Sequence, residues 1–234
     1  TGLSRLAWRM NRRYPLLYAT TARIWKEELE AFLEKDLARL VEGGHALVSL
    51  ETAWNARLSL GDGFSIRGIP DRVTQDRDGR YWISDYKTSG KLEKHTEAIN
   101  YLRGEHVQLP LYVLMGMSRQ GGEAPLPEAE IVGLGPNFFP DFGFVGRGPN
   151  RFEVERFTQF EAGFLETLSV LGNLVDRGRF PFRIDRHCRW CPYHLACRRH
   201  QLSSVIRVLE HPDHTPYFLT QKKSTQRPLL DGTP

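Results

Sequence analysis

Two short acidic segments near the middle of the chain contain residue types that metal-dependent chemistry requires. The segments read GIPDRV at 68–73 and YWISDYKT at 81–88, and they contain Asp71, Asp85 and Lys87. Because side chains alternate along a strand, Asp85 and Lys87 are expected on the same face of the second segment. The sequence therefore predicts a carboxylate beside an ammonium group, with a second carboxylate on the neighbouring strand.

Such a group of side chains is typical of a site that cleaves a phosphodiester. Two carboxylates on neighbouring strands can bind a hard divalent cation such as Mg²⁺, which prefers oxygen ligands. A lysine beside them could orient or deprotonate a water molecule, while the cation stabilises the charge that grows on the phosphate. The alternative is a solvated hairpin with a surface ion pair, because Asp-x-Lys tripeptides are common and exposed pairs contribute little.

A β-hairpin is expected to bring the two acids together. Residues 64–74 and 81–87 are predicted to form its strands, and the charged turn at 76–80 contains an Asp-Gly step, which is a hairpin signal. The sheet is expected to continue on either side of this hairpin. Its further predicted strands cover 46–54, 130–138 and 151–157.

Gln108 and Tyr112 form a second pair of polar residues with a regular spacing. Four residues separate them, so on a helix predicted at 106–119 they would lie on one face about one turn apart. Pro110 fits the beginning of that helix, where a missing N–H costs little. The alternative is a core helix built on its leucines and valine, with Gln108 and Tyr112 only at its flanks.

The order of these segments resembles the nuclease domain of the RecB and AddB helicase-nucleases, within the PD-(D/E)xK superfamily. The motifs are GIPDRV, then SDYKTSG and then QLPLY, and the resemblance spans about residues 45–200. It implies an α/β fold with a restriction-endonuclease-like core, in which helices flank a small mixed central sheet. It also implies an exonuclease that uses Mg²⁺ or Mn²⁺ on DNA in recombination or repair, with a helicase domain or subunit as a partner.

The resemblance implies a role for each matching residue. The two aspartates and the backbone carbonyl of the residue after Asp85 would bind the metal, and the lysine would serve the attacking water. The glutamine and tyrosine would complete the site, and an acid in VSLETAW would correspond to the acid on the preceding strand. In chain order these residues are Glu51, Asp71, Asp85, Tyr86, Lys87, Gln108 and Tyr112.

Three cysteines near the C-terminal end form the second motif. Cys188, Cys191 and Cys197 have the spacing CxxCxxxxxC, and closely spaced thiolates can bind one metal centre. This spacing is similar to the last three cysteines of the AddB-type iron-sulfur staple, which implies a [4Fe-4S] cluster whose fourth ligand is absent from this chain. Zinc bound with a neighbouring histidine, His187, His194 or His200, is one alternative, and a missing cluster is another.

The N-terminal sequence leads us to expect a fragment of a longer helicase-nuclease. It opens TGLSRLAWRM, without an initiator methionine or a signal peptide. The upstream cysteine and the motif histidine of the family would then precede it. A disulfide is not expected, because the cysteine count is odd and no export signal is visible.

The charge of the chain favours a polyanionic partner. The net charge is +4 and the pI about 9.0, and between Arg177 and Arg207 eight arginines accompany a single acid. Trp190 and Tyr193 lie in the same stretch, so it suits a surface that contacts DNA, although a solvated basic face is an equal alternative. No apolar run could span a bilayer, so a cytoplasmic protein without a membrane partner is expected.

Four segments describe the predicted organisation. These are a helical N-terminal part at 1–44, a nuclease core at 45–180, a cysteine- and arginine-rich segment at 181–210 and a flexible tail at 211–234. Helices are predicted at 21–42 and 157–177 from their apolar spacing. Two other functions stay open, namely a non-cleaving DNA-binding module and a metal-stapled scaffold of a helicase-nuclease complex.

Overall fold

The structure, a computed structural model, describes residues 11–58, 64–87, 92–121, 124–134, 150–194 and 196–223. The helices are α1 (Pro15–Glu42), α2 (Ala98–Leu102), α3 (Gln108–Gln120), α4 (Val154–Asp176), α5 (Leu202–Glu210) and α6 (Thr215–Thr220). The strands are β1 (Ala46–Leu50), β2 (Trp54–Leu58), β3 (Phe64–Gly68), β4 (Arg72–Gln75), β5 (Tyr81–Lys87), β6 (Glu128–Gly133) and β7 (Asn150–Phe152). Short 3₁₀ turns cover Leu92–His95, Arg186–Arg189 and Pro212–His214.

A mixed five-stranded sheet forms the centre of the fold, in the order β1-β4-β5-β6-β7. The pair β5–β6 is parallel and the other three pairs are antiparallel. Parallel neighbours require a crossover connection, and α3 lies in the one between β5 and β6. The predicted α/β class, with a small mixed sheet flanked by helices, is confirmed and agrees with a restriction-endonuclease-like core. Strands β2 and β3 form a separate two-stranded sheet.

The two faces of the central sheet differ in chemistry because side chains alternate along each strand. On the face towards α3, Val73, Ile83 and Ile131 are fully buried. On the opposite face, Arg72, Ser84 and Glu130 are buried. Arg72 and Glu130 bind side chains of α1, and Ser84 donates a hydrogen bond to Glu130. We call these the α3 face and the α1 face. The apolar α3 face supplies the core, and the acid pair lies at the end of its strands.

The predicted strand at 64–74 is wrong, because the chain forms two strands there. Strand β3 ends at Gly68 and β4 begins at Arg72. Pro70 lies between them and has no N–H for a ladder hydrogen bond, which explains the break. The predicted strand at 46–54 is also interrupted, at Glu51, whose φ of 43° lies in the left-handed region.

The ends of other predicted elements also differ from the structure. The expected strand at 151–157 ends at Phe152, and α4 begins at Val154. Strand β6 ends at Gly133, and residues 135–138 of the predicted strand lie outside the described residues. Helix α1 ends at Glu42 as predicted, before a left-handed Gly44 with φ 65°.

The apolar stripe of α1 is only partly used in packing. Leu33, Leu37 and Val41 remain between half and three quarters exposed. The side chain that α1 buries is Asp36, and Phe32 lies edge-on to the Tyr86 ring with centroids 6.0 Å apart. The helix therefore meets the sheet through a polar and aromatic stripe, not through its leucines.

The chain divides into two compact units. The first comprises residues 1–56, 67–96 and 108–154, and it contains the five-stranded sheet, α1 and α3. The second comprises residues 57–66, 97–107 and 155–234. Within the described residues, no helix is both long and apolar enough to cross a membrane.

The second unit has an aromatic core. Tyr101, Phe157 and Phe164 pack edge to face, with ring centroids 5.6 to 5.8 Å apart. The helix predicted at 157–177 buries Phe157, Phe164 and Leu174, whereas Val175 is 62% exposed. Helices α5 and α6 were not predicted, and residues 224–234 of the expected tail lie outside the described part.

Candidate active site

Strands β4 and β5 hold the two aspartates opposite each other. Their antiparallel ladder pairs Arg72 with Ser84 and Val73 with Ile83. Continuing this register by one residue places Asp71 across from Asp85. The ladder is replaced there by a side-chain bond, since Asp71 Oδ2 accepts a hydrogen bond of 2.7 Å from the backbone N–H of Tyr86. The predicted hairpin is thus confirmed, with Gly79 at φ 81° in its turn.

Asp85 is a buried carboxylate in contact with a cation. Its side chain is 1% exposed, and Oδ1 accepts a hydrogen bond of 2.6 Å from Gln108 Nε2. Oδ2 forms an ion pair with Lys87 Nζ at 2.5 Å. Burial raises the pKa of Asp85, against the opposing effect of the lysine, and the negative charge of Asp71 raises it further.

Gln108 connects the acid to the base. Its Nε2 donates to Asp85 and, at 3.0 Å, to the hydroxyl of Tyr112, while its Oε1 accepts from Lys87 Nζ at 3.1 Å. In the opposite orientation, the amide oxygen would face the Asp85 carboxylate and the amide NH₂ would face the Lys87 ammonium. The charges of these two residues therefore determine the orientation of the Gln108 amide. The helix begins at Gln108, as Pro110 predicted.

Tyr112 anchors this group of side chains to the loop that precedes Asp71. Its hydroxyl donates a 2.9 Å hydrogen bond to the carbonyl of Ile69, and its ring lies against Gly68. A Cβ at Gly68 would come within 2.8 Å of the ring, so a glycine is required for this close approach. Helix α3 also packs in the core, because Leu109 and Val113 are fully buried.

Among the predicted site residues, Glu51 is the one whose side chain forms no interaction with another side chain in the described structure. It follows β1, its side chain is exposed, and no hydrogen bond or ion pair links it to a described residue. Its backbone N–H, however, donates to the carbonyl of Asp71 at 3.0 Å. The positive φ costs about 1 kcal/mol for a residue with a Cβ, so this bend next to Asp71 is maintained against strain.

The acid pair fits a hard divalent cation. The carboxylates of Asp71 and Asp85 lie opposite each other at the end of the ladder, and they repel each other unless a positive charge lies between them. Asp85 Oδ2 is buried and faces the Lys87 ammonium, so this oxygen already lies in a position where a positive charge is stabilised. No set of three His, Cys, Asp or Glu side chains converges anywhere in the described residues, so a cation here would keep several waters.

Tyr86 has two environments that its sequence position alone does not reveal. Its backbone belongs to the α3-face site through the bond to Asp71, whereas its ring lies on the α1 face with the Arg72 guanidinium 5.5 Å from the ring centroid. Burial raises the pKa of the phenol to about 12. The phenol therefore stays neutral and takes no part in acid-base chemistry at ordinary pH.

A group of polar residues behind the acids, most of them buried, was not predicted from the sequence. It combines α1 with three strands, and we call it the α1-face cluster. Its members are Asp36, Arg39, Arg72, Ser84 and Glu130. The one signal for it was a glutamate between the apolar residues of β6, at a position where a strand buried on both faces would carry an apolar side chain.

The three cysteines lie in the second unit as free thiols. All three are partly exposed, and they do not converge as a trio that could hold a metal. The pKa of the Cys188 thiol is lowered, first by a hydrogen bond from the backbone N–H of Asp185 and then by Arg199, against slight desolvation. As placed, the described thiols do not form a closed iron-sulfur or zinc site.

Comparison with known proteins identifies the class to which this fold and acid pair belong. The model of the PD-(D/E)XK nuclease superfamily matches residues 3–198, so the chain belongs to this superfamily. No curated protein matches the chain. The crystal structure of a protein named SSO0001 is similar at 14% identity and a TM-score of 0.38, over 82% of this chain and 80% of that chain.

Members of the PD-(D/E)XK superfamily are in general metal-dependent hydrolytic nucleases, and at that level the predicted function and the use of a divalent cation are supported. The match extends through the strands with Asp71, Asp85 and Lys87 and ends one residue after Cys197.

Proposed function

We propose that this chain is a Mg²⁺- or Mn²⁺-dependent deoxyribonuclease of the RecB-like type that acts in DNA recombination or repair. Asp71 and Asp85 are its metal ligands, with the Tyr86 carbonyl as a third. The observation that supports this most directly is Asp85 itself, which is a buried carboxylate paired with Lys87 and close enough to Asp71 for that charge to raise its pKa. A site that only binds DNA gains nothing from a buried carboxylate that repels phosphate.

The side chains divide the chemistry between them. A bound Mg²⁺ would supply positive charge for the phosphoryl oxygens in the transition state. Lys87, between Asp85 and Gln108, presents N–H donors that hold a water and orient it towards phosphorus. An ammonium donates and does not accept protons, so its second effect is to stabilise the negative charge that grows on the phosphate.

Gln108 and Tyr112 position Lys87 and Asp85. The amide of Gln108 holds the ammonium and the carboxylate together, and the Tyr112 hydroxyl holds that amide. Burial raises the pKa of the Tyr112 phenol, so it remains a neutral hydrogen-bond donor. Glu51 is assigned to the metal or its water on the resemblance alone. Its backbone N–H binds the carbonyl of Asp71, which places the residue next to the site.

The arginine-rich stretch of the second unit supplies a surface for DNA. Arg189 and Arg198 are exposed and form no ion pair with a described carboxylate. Trp190 and Tyr193 are 81% and 72% exposed. Arginine guanidinium groups bind phosphate, and exposed aromatic rings stack on unpaired bases, so this segment favours DNA with single-stranded character.

Three further arginines of this stretch form ion pairs within the protein. Arg177 and Arg179 pair with Asp213, and Arg183 pairs with Glu105 and Asp185. The surface available to phosphate is therefore smaller than the sequence count of eight arginines suggests.

The test of the proposed function is a cleavage assay with end-labelled single-stranded and duplex DNA and with closed circular DNA. The full chain is compared in Mg²⁺, in Mn²⁺ and after chelation with EDTA, beside Asp85→Asn and Lys87→Ala. Cleavage that needs the cation and both side chains supports the proposal, and sparing of the closed circle supports an exonuclease. Equal cleavage by all three proteins refutes it.

A non-cleaving DNA-binding module is the second candidate. The exposed aromatic and arginine residues near the cysteines favour it, because they would serve binding without catalysis. DNA binding by the parent with no cleavage in either cation, and no loss of binding in Asp85→Asn, would favour this module over the nuclease.

The proposal extends to the cysteines and to a helicase partner, both of which the resemblance to RecB and AddB implies. The spacing of Cys188, Cys191 and Cys197 and the half-buried thiols are compatible with metal binding if a fourth ligand comes from outside this sequence. Iron, sulfide and zinc analysis of anaerobically purified protein, with Cys191→Ser as the control, separates an iron-sulfur cluster from zinc and from no metal. No step of the cleavage depends on this centre.

A further inference from the structure

The α1-face cluster is joined to the acid pair through the backbone. Arg72 follows Asp71 directly, and Ser84 precedes Asp85 directly. Because neighbouring residues on a strand point to opposite faces, each aspartate on one side of the sheet has a cluster residue behind it. The residues that pair across the ladder, Arg72 and Ser84, are thus next to the two acids that must face each other.

Hydrogen bonds inside the cluster connect three strands and a helix. Arg72 Nη2 donates to Ser84 Oγ at 3.3 Å, and Ser84 Oγ donates to Glu130 Oε1 at 2.7 Å. Arg39 donates to both oxygens of Glu130 at 2.8 Å each, and the guanidinium of Arg72 binds Asp36. The chain of contacts runs from β4 through β5 to β6 and is closed by α1.

Stability alone does not account for such a cluster. The charges of Asp36, Arg72 and Glu130 are almost completely buried, whereas the Arg39 side chain is 33% exposed. Replacing a buried ion pair by apolar residues of similar volume is often neutral or stabilising. Register is what the charges specify. A slip of β4 by one residue would turn Arg72 into the apolar α3 face and carry Asp71 away from Asp85.

Binding of a separate ligand is a poorer explanation. A cavity of about 440 Å³ lies on this face and is lined in part by Arg39, Arg72, Ser84 and Glu130. Four arginines line it, and the two that belong to the cluster, Arg39 and Arg72, are already engaged by Asp36 and Glu130. The cluster itself therefore offers no unpaired charge to a small anion.

We propose that Arg72 and Ser84 are positioning residues, which use the α1-face cluster to hold Asp71 and Asp85 at the spacing that a divalent cation needs. This positioning role depends on the proposed function only because the proposed function supplies the divalent cation. The cluster acts through the backbone and never touches the substrate or the metal. Its effect is on metal affinity and on the order of the β4–β5 end.

The test uses a double variant, Asp36→Leu with Arg72→Met, which removes a buried ion pair without leaving either charge alone. Two measurements are made on the full chain. One is the hydrogen-exchange rate of the Tyr86 amide in the metal-free protein, since that N–H donates to Asp71. The other is the dissociation constant of Mn²⁺ by calorimetry, for which Asp85→Asn identifies the signal of this site.

We expect a folded double variant with faster exchange at Tyr86 and with Mn²⁺ affinity weakened about tenfold to a hundredfold, the usual effect of removing a residue that supports a metal ligand. Saturating Mn²⁺ should recover most of kcat, because the residues that act on the substrate are intact. Ser84→Ala should shift both measurements in the same direction by less. It decides the question if the double variant does not fold.

The matched control is Glu128→Gln, which breaks the Arg80–Glu128 ion pair at the other end of the same β5–β6 pair. It should leave Tyr86 exchange and Mn²⁺ binding unchanged. A folded double variant with the exchange rate and affinity of the parent would overturn the proposal. A parent that cleaves no DNA would refute the proposed function, while the exchange rate would still decide whether the cluster positions Asp71.

Discussion

Asp71 lies directly across the β4–β5 ladder from Asp85, one residue beyond the last paired positions, Arg72 and Ser84. Two like charges at such positions repel, and burial adds to the effect by raising the pKa of Asp85. Folding therefore brings together two carboxylates whose repulsion is unfavourable, and a bound positive charge reduces that repulsion. Lys87 supplies part of that charge at 2.5 Å.

Replacing Lys87 by alanine should abolish most cleavage and spare DNA binding. The ammonium orients water and stabilises the charge on the phosphate, so kcat should fall roughly hundredfold to thousandfold, the usual loss when one donor to transition-state charge is removed. Single-turnover cleavage and a DNA-binding titration measure the two effects. Lys26→Ala, which removes an exposed lysine from α1, is the control, and turnover of Lys87→Ala equal to that control would refute the role.

Gly68→Ala should reduce activity without removing any functional group. The added Cβ would lie 2.8 Å from the Tyr112 ring and displace it, which disturbs the hydroxyl that holds Gln108. Crowding of this kind costs about 1–3 kcal/mol of unfolding free energy. Both kcat and the urea midpoint should therefore fall.

Gly116→Ala is the control for this effect. Its Cβ would meet Pro127 and Ile83 at 3.1 and 3.2 Å, without touching Tyr112. It should lower stability and leave kcat close to that of the parent. Equal losses of kcat in the two variants would contradict a specific role for the Gly68–Tyr112 contact.

Glu130→Gln should destabilise the protein at neutral pH by about 3–5 kcal/mol, because it leaves Arg39 and Arg72 with less compensating charge in a buried place. Burial opposes ionisation of Glu130, but hydrogen bonds from Arg39 and Ser84 outweigh it and lower the pKa of Glu130. Stability from a lowered pKa is complete above the ordinary value of 4.5 and is lost as the pH falls through the folded value.

As the pH falls below the ordinary pKa of 4.5, the unfolding free energy of the parent should therefore decrease faster than that of Glu130→Gln. Urea unfolding at a series of pH values measures the difference. Glu128→Gln, which removes a half-exposed ion pair with Arg80, should cost within about 1 kcal/mol and keep the acid dependence of the parent. Parallel acid profiles for the parent and Glu130→Gln would argue against the assigned pKa.

Trp190→Ala should weaken binding to single-stranded DNA more than binding to duplex. The ring is 81% exposed, and stacking on a base contributes about 1–3 kcal/mol. Fluorescence anisotropy with labelled oligonucleotides measures both affinities. Phe180→Ala, which removes another exposed aromatic ring of the second unit, should have little effect, and equal losses in the two variants would count against a stacking surface at Trp190.

The sequence alone was sufficient for the local features of the site. The Asp-Gly turn predicts the hairpin, the period of two places Asp85 beside Lys87, and the offset of four places Gln108 beside Tyr112. Each follows from backbone geometry over a few residues, which does not depend on the rest of the fold. The membership in the superfamily agrees with the same motifs.

Only the tertiary structure decided which distant residues meet. Asp36, Arg72 and Glu130 lie far apart in the sequence and come together because α1 crosses the face of three strands, a relation that no local spacing encodes. The exposure of Leu37 and of Glu51 was decided by packing in the same way. The sequence by itself determined the chemical groups and their nearest neighbours, and long-range contacts determined how those groups are held and buried.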